Sequence, residues 1–121
     1  MSVIRPEIKA WLSPDIDLSG GPVDHESFSV PIQLLVGPKG ADGSESVEVL
    51  VVTPQWLQQQ VIDRPMFAHG MLIVDRWDWP TIKERLEQAV MACSAPTWRQ
   101  VGRKLMRVGR WEFEDDISEI V

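Results

Sequence analysis

The sequence predicts an α+β fold: a mainly antiparallel sheet of four to five strands with three helices on one face, in the order β-β-β-α-β-α-α with a candidate final strand. Three observations support this class. Apolar residues alternate strictly from Phe28 to Val36, as in a strand with one buried face. Apolar residues recur at helical spacing from Ile82 to Cys93. Two clusters rich in glycine and proline, 13–22 and 37–44, have the composition of turns between strands.

The first half of the chain contains three predicted strands. Val3 to Leu12 alternates weakly, and its apolar residues on one side are Ile4, Ile8, Ala10 and Leu12. Pro31 lies on the opposite face of the second strand, and because proline cannot donate a ladder hydrogen bond, we expect this strand near an edge of the sheet. Val47 to Val52 is apolar on both faces, which is typical of a covered central strand. It should form a hairpin with the second strand.

A short helix and a fourth strand follow. Thr53 should cap the helix, since its hydroxyl can accept from free amides, and Pro54 at the first helical position loses no hydrogen bond. The residues expected to face inward are Trp56, Leu57 and Val61. Met66 to Asp75 is predicted as the fourth strand.

The second helix is predicted to begin after Asp78, its expected cap, with Pro80 in the first turn. Its inner face consists of the apolar residues Ile82, Leu86, Ala89, Val90 and Cys93.

Pro96 is expected to open the third helix, and Gly109 to end it in a left-handed conformation. The apolar face of this helix is formed by Trp98, Val101, Leu105 and Val108, and a separate basic stripe is formed by Arg99, Arg103, Arg107 and Arg110. Trp111 to Glu114 alternates and is the candidate final strand, in which we expect Trp111 and Phe113 to be structural.

Length and composition exclude several classes of protein. The 121 residues predict a single domain over 1–121. Apolar runs are short, such as Val49 to Val52, whereas a bilayer span needs about twenty residues. The N-terminus lacks the pattern of a secretory signal. Cys93 is the one cysteine, which excludes an internal disulfide and a zinc ribbon. We therefore expect a cytoplasmic protein without a membrane partner.

The charge is acidic and unevenly distributed. Twelve lysine and arginine residues against eighteen aspartate and glutamate residues give a net charge of −6. This argues against nucleic acid as a partner and favours a basic one. Residues 95–111 carry five basic groups and no acid, and residues 112–121 carry five acids and no base. We expect the terminal acids to fold back on the basic stripe, with Glu112, Glu114, Asp115 or Asp116 near Arg103, Arg107 or Arg110.

No catalytic, cofactor or metal site can be assembled from the sequence. His25 lies in a polar segment and has no second histidine at metal-ligand spacing. His69 has no nucleophile paired with it, and Cys93 should pack as a small hydrophobe. Asp75 and Asp78 could do acid–base work as a pair, but capping explains Asp78 better. We therefore expect no enzyme and no cofactor.

Six tryptophans occur without a tyrosine. Trp56 and Trp98 occupy core positions of the predicted helices. The four at the ends of elements, where half-exposure is expected, are Trp11, Trp77, Trp79 and Trp111. Tryptophan packs small cores and is also enriched at binding hot spots, so both roles stay open.

Several short blocks, in shared order and spacing, carry a resemblance to a known family. They are Ser13-Pro14-Asp15, Gly37-Pro38-Lys39-Gly40, Thr53-Pro54-Gln55-Trp56-Leu57, Leu72-Ile73-Val74-Asp75-Arg76-Trp77-Asp78, Thr97-Trp98 and Gly109-Arg110-Trp111-Glu112-Phe113-Glu114-Asp115. The sequence resembles the immunity protein 8 family of bacterial polymorphic toxin systems. The resemblance implies a small α+β protein, made by the toxin-producing cell, that binds and neutralises the cognate toxin domain. It transfers no catalytic residue and does not map the interface.

The expected function is therefore stoichiometric inhibition of a cognate, basic toxin domain. Acidic side chains beside a tryptophan are the candidate contacts: Asp75, Trp77, Asp78, Glu112, Glu114, Asp115 and Asp116. Two alternatives remain: a non-catalytic interaction module of another bacterial or phage system, and a small enzyme using His69 with a nearby carboxylate.

Overall fold

A five-stranded mixed sheet forms the centre of the structure, a computed structural model that describes residues 2–111. In chain order the elements are β1 (Pro6–Leu12), β2 (Ser29–Pro38), β3 (Glu45–Val52), α1 (Pro54–Gln60), β4 (Met71–Ile73), α2 (Trp79–Met91), α3 (Trp98–Leu105) and β5 (Arg110–Trp111). The strands lie in the order β1-β2-β3-β4, and β5 also pairs with β3. The predicted α+β class, helix number and element order are confirmed.

The hairpin of β2 and β3 is the centre of the sheet. Its antiparallel register runs from Ser29 opposite Val52 to Val36 opposite Glu45. At the tip, the Ala41 amide donates to the Pro38 carbonyl at 3.3 Å. The predicted hairpin is therefore confirmed.

The second edge of β3 is shared by two short strands. β4 runs parallel to it at Leu50 to Val52, and β5 runs antiparallel to it at Val47 and Glu48. Gly109, just before β5, has no positive φ, so the expected left-handed helix cap is wrong. Its small size is needed instead for close approach, because a Cβ there would lie 2.3 Å from the Glu48 carbonyl oxygen.

A bulge in β1 changes which side chains face the core. The register with β2 shifts between Ile8 and Ala10. An extra residue reverses the alternation beyond it. Trp11 consequently packs on the core, while Leu12 is 46% exposed. The expectation that Leu12 shares the side of Ile8 is wrong for this reason.

The expectation that β2 lies near an edge is confirmed, because β2 is the neighbour of the edge strand β1. β1 and β3 flank β2 on its two sides. β1 pairs with β2 only from Gln33 to Pro38, so Pro31 lies beyond the end of that ladder. A missing amide is tolerated there because β2 has a single strand neighbour at this point.

The core lies between the hairpin and the last two long helices. The alternating apolar residues of β2 and of the position before it are all buried, as the sequence pattern predicts: Phe28, Val30, Ile32, Leu34 and Val36. They share one cluster with buried residues of β3, α2 and α3, among them Val49, Leu86 and Leu105. Burial of this many apolar side chains is the main force that holds the two helices on the sheet.

Helix α1 contributes less to the core than expected. Thr53 caps it as predicted, accepting from the Trp56 amide at 3.4 Å. However, α1 has no buried residue, and Val61 is 43% exposed. α2 and α3 complete the core, so α1 remains peripheral. The following strand β4 is confined to Met71–Ile73, shorter than predicted.

Helix α3 begins at Trp98, two residues later than expected. Thr97, rather than Pro96, is its N-cap, and Thr97 forms a reciprocal capping box with Gln100. A threonine side chain can satisfy a free amide at this position, which proline cannot.

Glu45 joins α3 and β5 to the start of β3. Its Oε1 accepts from the indole Nε1 of Trp98 at 2.8 Å, and its Oε2 accepts from that of Trp111 at 2.7 Å. Trp111 is buried, and Gly102 of α3 lies against its ring: a Cβ at Gly102 would lie 2.2 Å from Cη2. Trp111 is therefore part of the core.

Candidate interaction surface

Trp77 fastens a long loop to the body of the protein. Its Nε1 donates to the Leu18 carbonyl at 3.0 Å, and its amide donates to the His25 carbonyl at 2.9 Å. Gly21 lies against the indole, where a Cβ would be 2.2 Å from Cδ1. Gly21 also has a φ of 76°, a conformation that glycine adopts without strain. Residues 13–28 are thus held beside the turn that precedes α2.

An aromatic cluster supports this attachment. Trp77 stacks on Trp79 with ring centroids 6.2 Å apart, and Phe28 meets Trp77 edge-on at 5.4 Å. Trp11 of β1 contacts Trp79 edge-on at 5.3 Å. Trp77 is only 5% exposed. The expectation of a half-exposed Trp77 is therefore wrong, because the distant loop folds over its ring.

Attachment of the loop brings two acidic segments together. Asp24 and Glu26 of the loop, and Asp75 and Asp78 of the turn, are all exposed. We call these four residues the acidic surface. Glu26 and Asp75 line one cleft of about 420 Å³, together with Pro54, Gln55 and Arg76. The sequence predicted Asp75 and Asp78 but missed Asp24 and Glu26, because their proximity depends on the contacts of Trp77.

Asp78 caps α2 differently from the prediction. It is the N-cap residue, but its side chain makes no capping hydrogen bond with the helix backbone. Its Oδ2 accepts instead from the Thr81 hydroxyl at 3.0 Å. The carboxylate remains exposed to a partner.

The acidic end of the chain lies outside the described residues. The predicted contacts Glu112, Glu114, Asp115 and Asp116, the predicted structural residue Phe113, and the proposed pairing with the basic stripe all fall there. They stay predictions.

Neither histidine lines the cleft of Asp75. His25 is exposed, and its Nε2 donates to the Gly20 carbonyl at 3.1 Å. His69 is exposed and does not line that cleft. Within residues 2–111, no three histidine, cysteine or acidic side chains are grouped to hold a metal ion.

Cys93 is buried at the end of α2, as predicted. Its thiol donates to the Ala89 carbonyl at 3.3 Å. Burial raises the pKa of the thiol, and the charges of Arg107 and Lys104 oppose this increase. A buried, protonated thiol is a poor nucleophile, since the thiolate is the reactive form.

Comparison with known proteins gives one family. The sequence model of a family described as Immunity protein 8 matches residues 7–116. Neither the curated proteins nor the solved structures give a match to the chain. Over the described part of the chain, no helix has the length and apolar character needed to cross a membrane.

Proposed function

The chain belongs to the immunity protein 8 family, and from that premise we propose that it binds a cognate bacterial toxin domain and neutralises it in a stoichiometric complex. The observation that carries this proposal is the family match over residues 7–116, which spans every strand and helix of the fold except the first residue of β1. A toxin-producing cell needs its inhibitor where the toxin is made, so the proposal includes a cytoplasmic location.

Inhibition by binding requires a surface rather than a reactive group. An interface of standard size buries about 800 Å² on each partner and depends on a few central side chains within a polar rim. This requirement fits a protein whose exposed carboxylates are held in place by a buried aromatic cluster.

We propose that the acidic surface contacts a basic face of the toxin. Opposite charges accelerate association, because long-range attraction raises the frequency of productive encounters. In this proposal Asp75 and Asp78 touch the toxin, whereas Trp77 holds them in position from beneath. The acids of residues 112–116 are a second candidate contact, proposed from their charge.

Coexpression with the toxin domain encoded beside this gene tests the proposal. The chain should rescue growth and form a one-to-one complex. Reversal of charge in Asp75→Lys with Asp78→Lys should slow association by roughly tenfold at low salt. The matched control is Asp42→Lys with Glu84→Lys, which makes the same charge change at exposed positions outside the acidic surface.

Two results would count against the proposal. If the chain protects against no neighbouring toxin, the immunity function fails and an interaction module of another system takes its place. If protection is intact and both charge-reversed pairs associate equally fast, the acidic surface is not the contact.

A further inference from the structure

A second cleft, of about 390 Å³, lies where β4, α2 and the end of α3 meet. Its apolar side is formed by residues such as Leu72, Leu86 and Val108. Leu86 is 2% exposed and belongs to the core, so this part of the cleft is a fixed surface. The cleft thus combines a rigid apolar floor with access from solvent.

The rim of this cleft is cationic. Arg85, Lys104 and Arg107 line it, and no aspartate or glutamate is found among its described lining residues. We call these three residues the cationic rim. The Lys104 ammonium donates to the Ser94 carbonyl at 2.9 Å, which holds it beside the cleft. Cys93 lines the same cleft, and the charges of Lys104 and Arg107 oppose the rise of its pKa.

The positive charge of the cationic rim is opposite in sign to the net charge of the chain. The net charge is −6, yet three cations converge where the described lining offers no carboxylate. Arginine and lysine remain protonated at neutral pH, so their mutual repulsion is relieved by an anion. Guanidinium groups bind carboxylates with paired, charge-assisted hydrogen bonds.

We propose that this cleft receives an acidic segment of the cognate toxin, with a carboxylate on Arg85 and Arg107 and a neighbouring apolar side chain on the floor. The inference rests on the proposed function and names the chemistry of the partner. A protein segment, rather than a small anion, is favoured because the apolar floor offers contact area beside the charges.

The position of the cleft agrees with a single interface. Leu72 lines the cleft and Asp75 belongs to the acidic surface. The proposal places the basic part of one toxin face on the acidic surface and its acidic segment in the cleft.

The experiment compares two pairs of charge reversals in the complex with the neighbouring toxin domain. Arg85→Glu with Arg107→Glu should weaken binding by at least about tenfold, because the toxin carboxylate would then be repelled by two introduced glutamates. Arg99→Glu with Arg103→Glu carries the same charge change on exposed positions outside the cleft and should change affinity by less than about threefold. Melting curves establish that all variants are folded.

Zero-length cross-linking of amines to carboxylates identifies the occupant directly. In the complex, Lys104 should link to an aspartate or glutamate of the toxin, and changing that acid to lysine should restore binding to the Arg85→Glu, Arg107→Glu variant. Links from Lys104 to the acids of residues 112–121 within the complex would overturn the proposal, since the chain would then fill its own cleft.

Failure of this inference and failure of the proposed function are distinguishable. If the unaltered chain does not bind the toxin, the proposed function fails. If it binds and both pairs of arginine reversals bind equally well, the cleft is not a contact while immunity stands.

Discussion

Glu45 is a single side chain on which two tryptophans depend. Each carboxylate oxygen accepts one indole N–H, from Trp98 at 2.8 Å and from Trp111 at 2.7 Å. Hydrogen bonds to a charged acceptor are stronger than neutral ones, and a buried donor without a partner is costly. The stability of the α3–β5 junction should therefore be unusually sensitive to this residue.

We predict that Glu45→Ala lowers the free energy of unfolding by about 2 kcal/mol, because it leaves both indole donors without their acceptor. Glu45→Gln keeps one carbonyl acceptor and should cost less. The neighbouring, exposed Glu48→Ala serves as the control. Urea unfolding followed by tryptophan fluorescence measures all three, and equal stabilities of the Glu45→Ala and Glu48→Ala proteins would refute the role of the carboxylate.

Cys93 gives the stability a predictable dependence on pH. Burial raises the pKa of its thiol above the ordinary value of 9.0. The folded protein therefore keeps this proton at a pH where the unfolded chain has begun to lose it. The resulting contribution to stability is constant below the unfolded pKa and decreases as the pH rises through the folded pKa.

Subtracting the pH profile of a Cys93→Ala variant isolates this contribution. Above about pH 9 the free energy of unfolding of the unaltered chain should fall more steeply, by up to about 1.4 kcal/mol per pH unit. Parallel profiles for the two proteins would show that the thiol titrates alike in both states.

At the scale of elements, glycine decides how closely α3 and β5 approach the sheet. Gly109 sits where a Cβ would be 2.3 Å from the Glu48 carbonyl oxygen, a backbone atom that cannot rotate away. The space is absent because β5 pairs with β3 immediately after this residue.

Gly109→Ala should accordingly destabilise the fold by about 1–3 kcal/mol through overpacking. Gly20→Ala is the matched control, since its Cβ would have no atom nearer than 3.8 Å. Thermal unfolding of both variants compares the two positions. Similar melting temperatures would mean that β3 shifts to accommodate the added methyl group without a loss of stability.

The indole N–H of Trp77 is one of the contacts that hold the loop of residues 13–28. Trp77→Phe keeps an aromatic ring but removes the donor to the Leu18 carbonyl. We expect faster hydrogen exchange and faster proteolysis in the loop, with a loss of about 1 kcal/mol in global stability. Trp79→Phe, which alters the neighbouring ring of the same stack, should leave the loop protected. Equal rates of hydrogen exchange in the loop of both variants would show that the hydrogen bond from Trp77 to Leu18 does not protect the loop.

For the molecule as a whole, the two charged surfaces should act at different stages of binding. In the proposal, the acidic surface mainly affects the approach of a basic partner. Arg85 and Arg107 of the cationic rim are exposed as well, but they border an apolar floor, so their proposed contacts should mainly affect dissociation.

Stopped-flow association and dissociation rates with the toxin domain check this division. Asp75→Lys with Asp78→Lys should lower the association rate and weaken its dependence on salt. Arg85→Glu with Arg107→Glu should mainly raise the dissociation rate. An effect of both pairs on the same rate constant would contradict the division of roles.

Local patterns were sufficient for the parts of the fold that depend on neighbours in the chain. The alternation from Phe28 to Val36 and the helical spacing from Ile82 to Cys93 each report which face of an element is buried. Thr53 could likewise be identified as a cap, because a cap bonds to an amide only three residues away. These features depend on residues only a few positions apart, so a short stretch of sequence is enough to predict them.

The candidate surfaces depend on contacts between distant segments, which no local pattern records. Trp77 is buried because a loop 59 positions away in sequence folds over its ring, where the indole N–H donates to the Leu18 carbonyl. Arg85 of α2 and Arg107, which follows α3, line one cleft because both helices pack on one sheet. The sequence by itself determined the α+β class, most of the core and the family. Tertiary structure alone decided which charges are neighbours, because charged side chains that are far apart in sequence come together only when the segments that carry them pack.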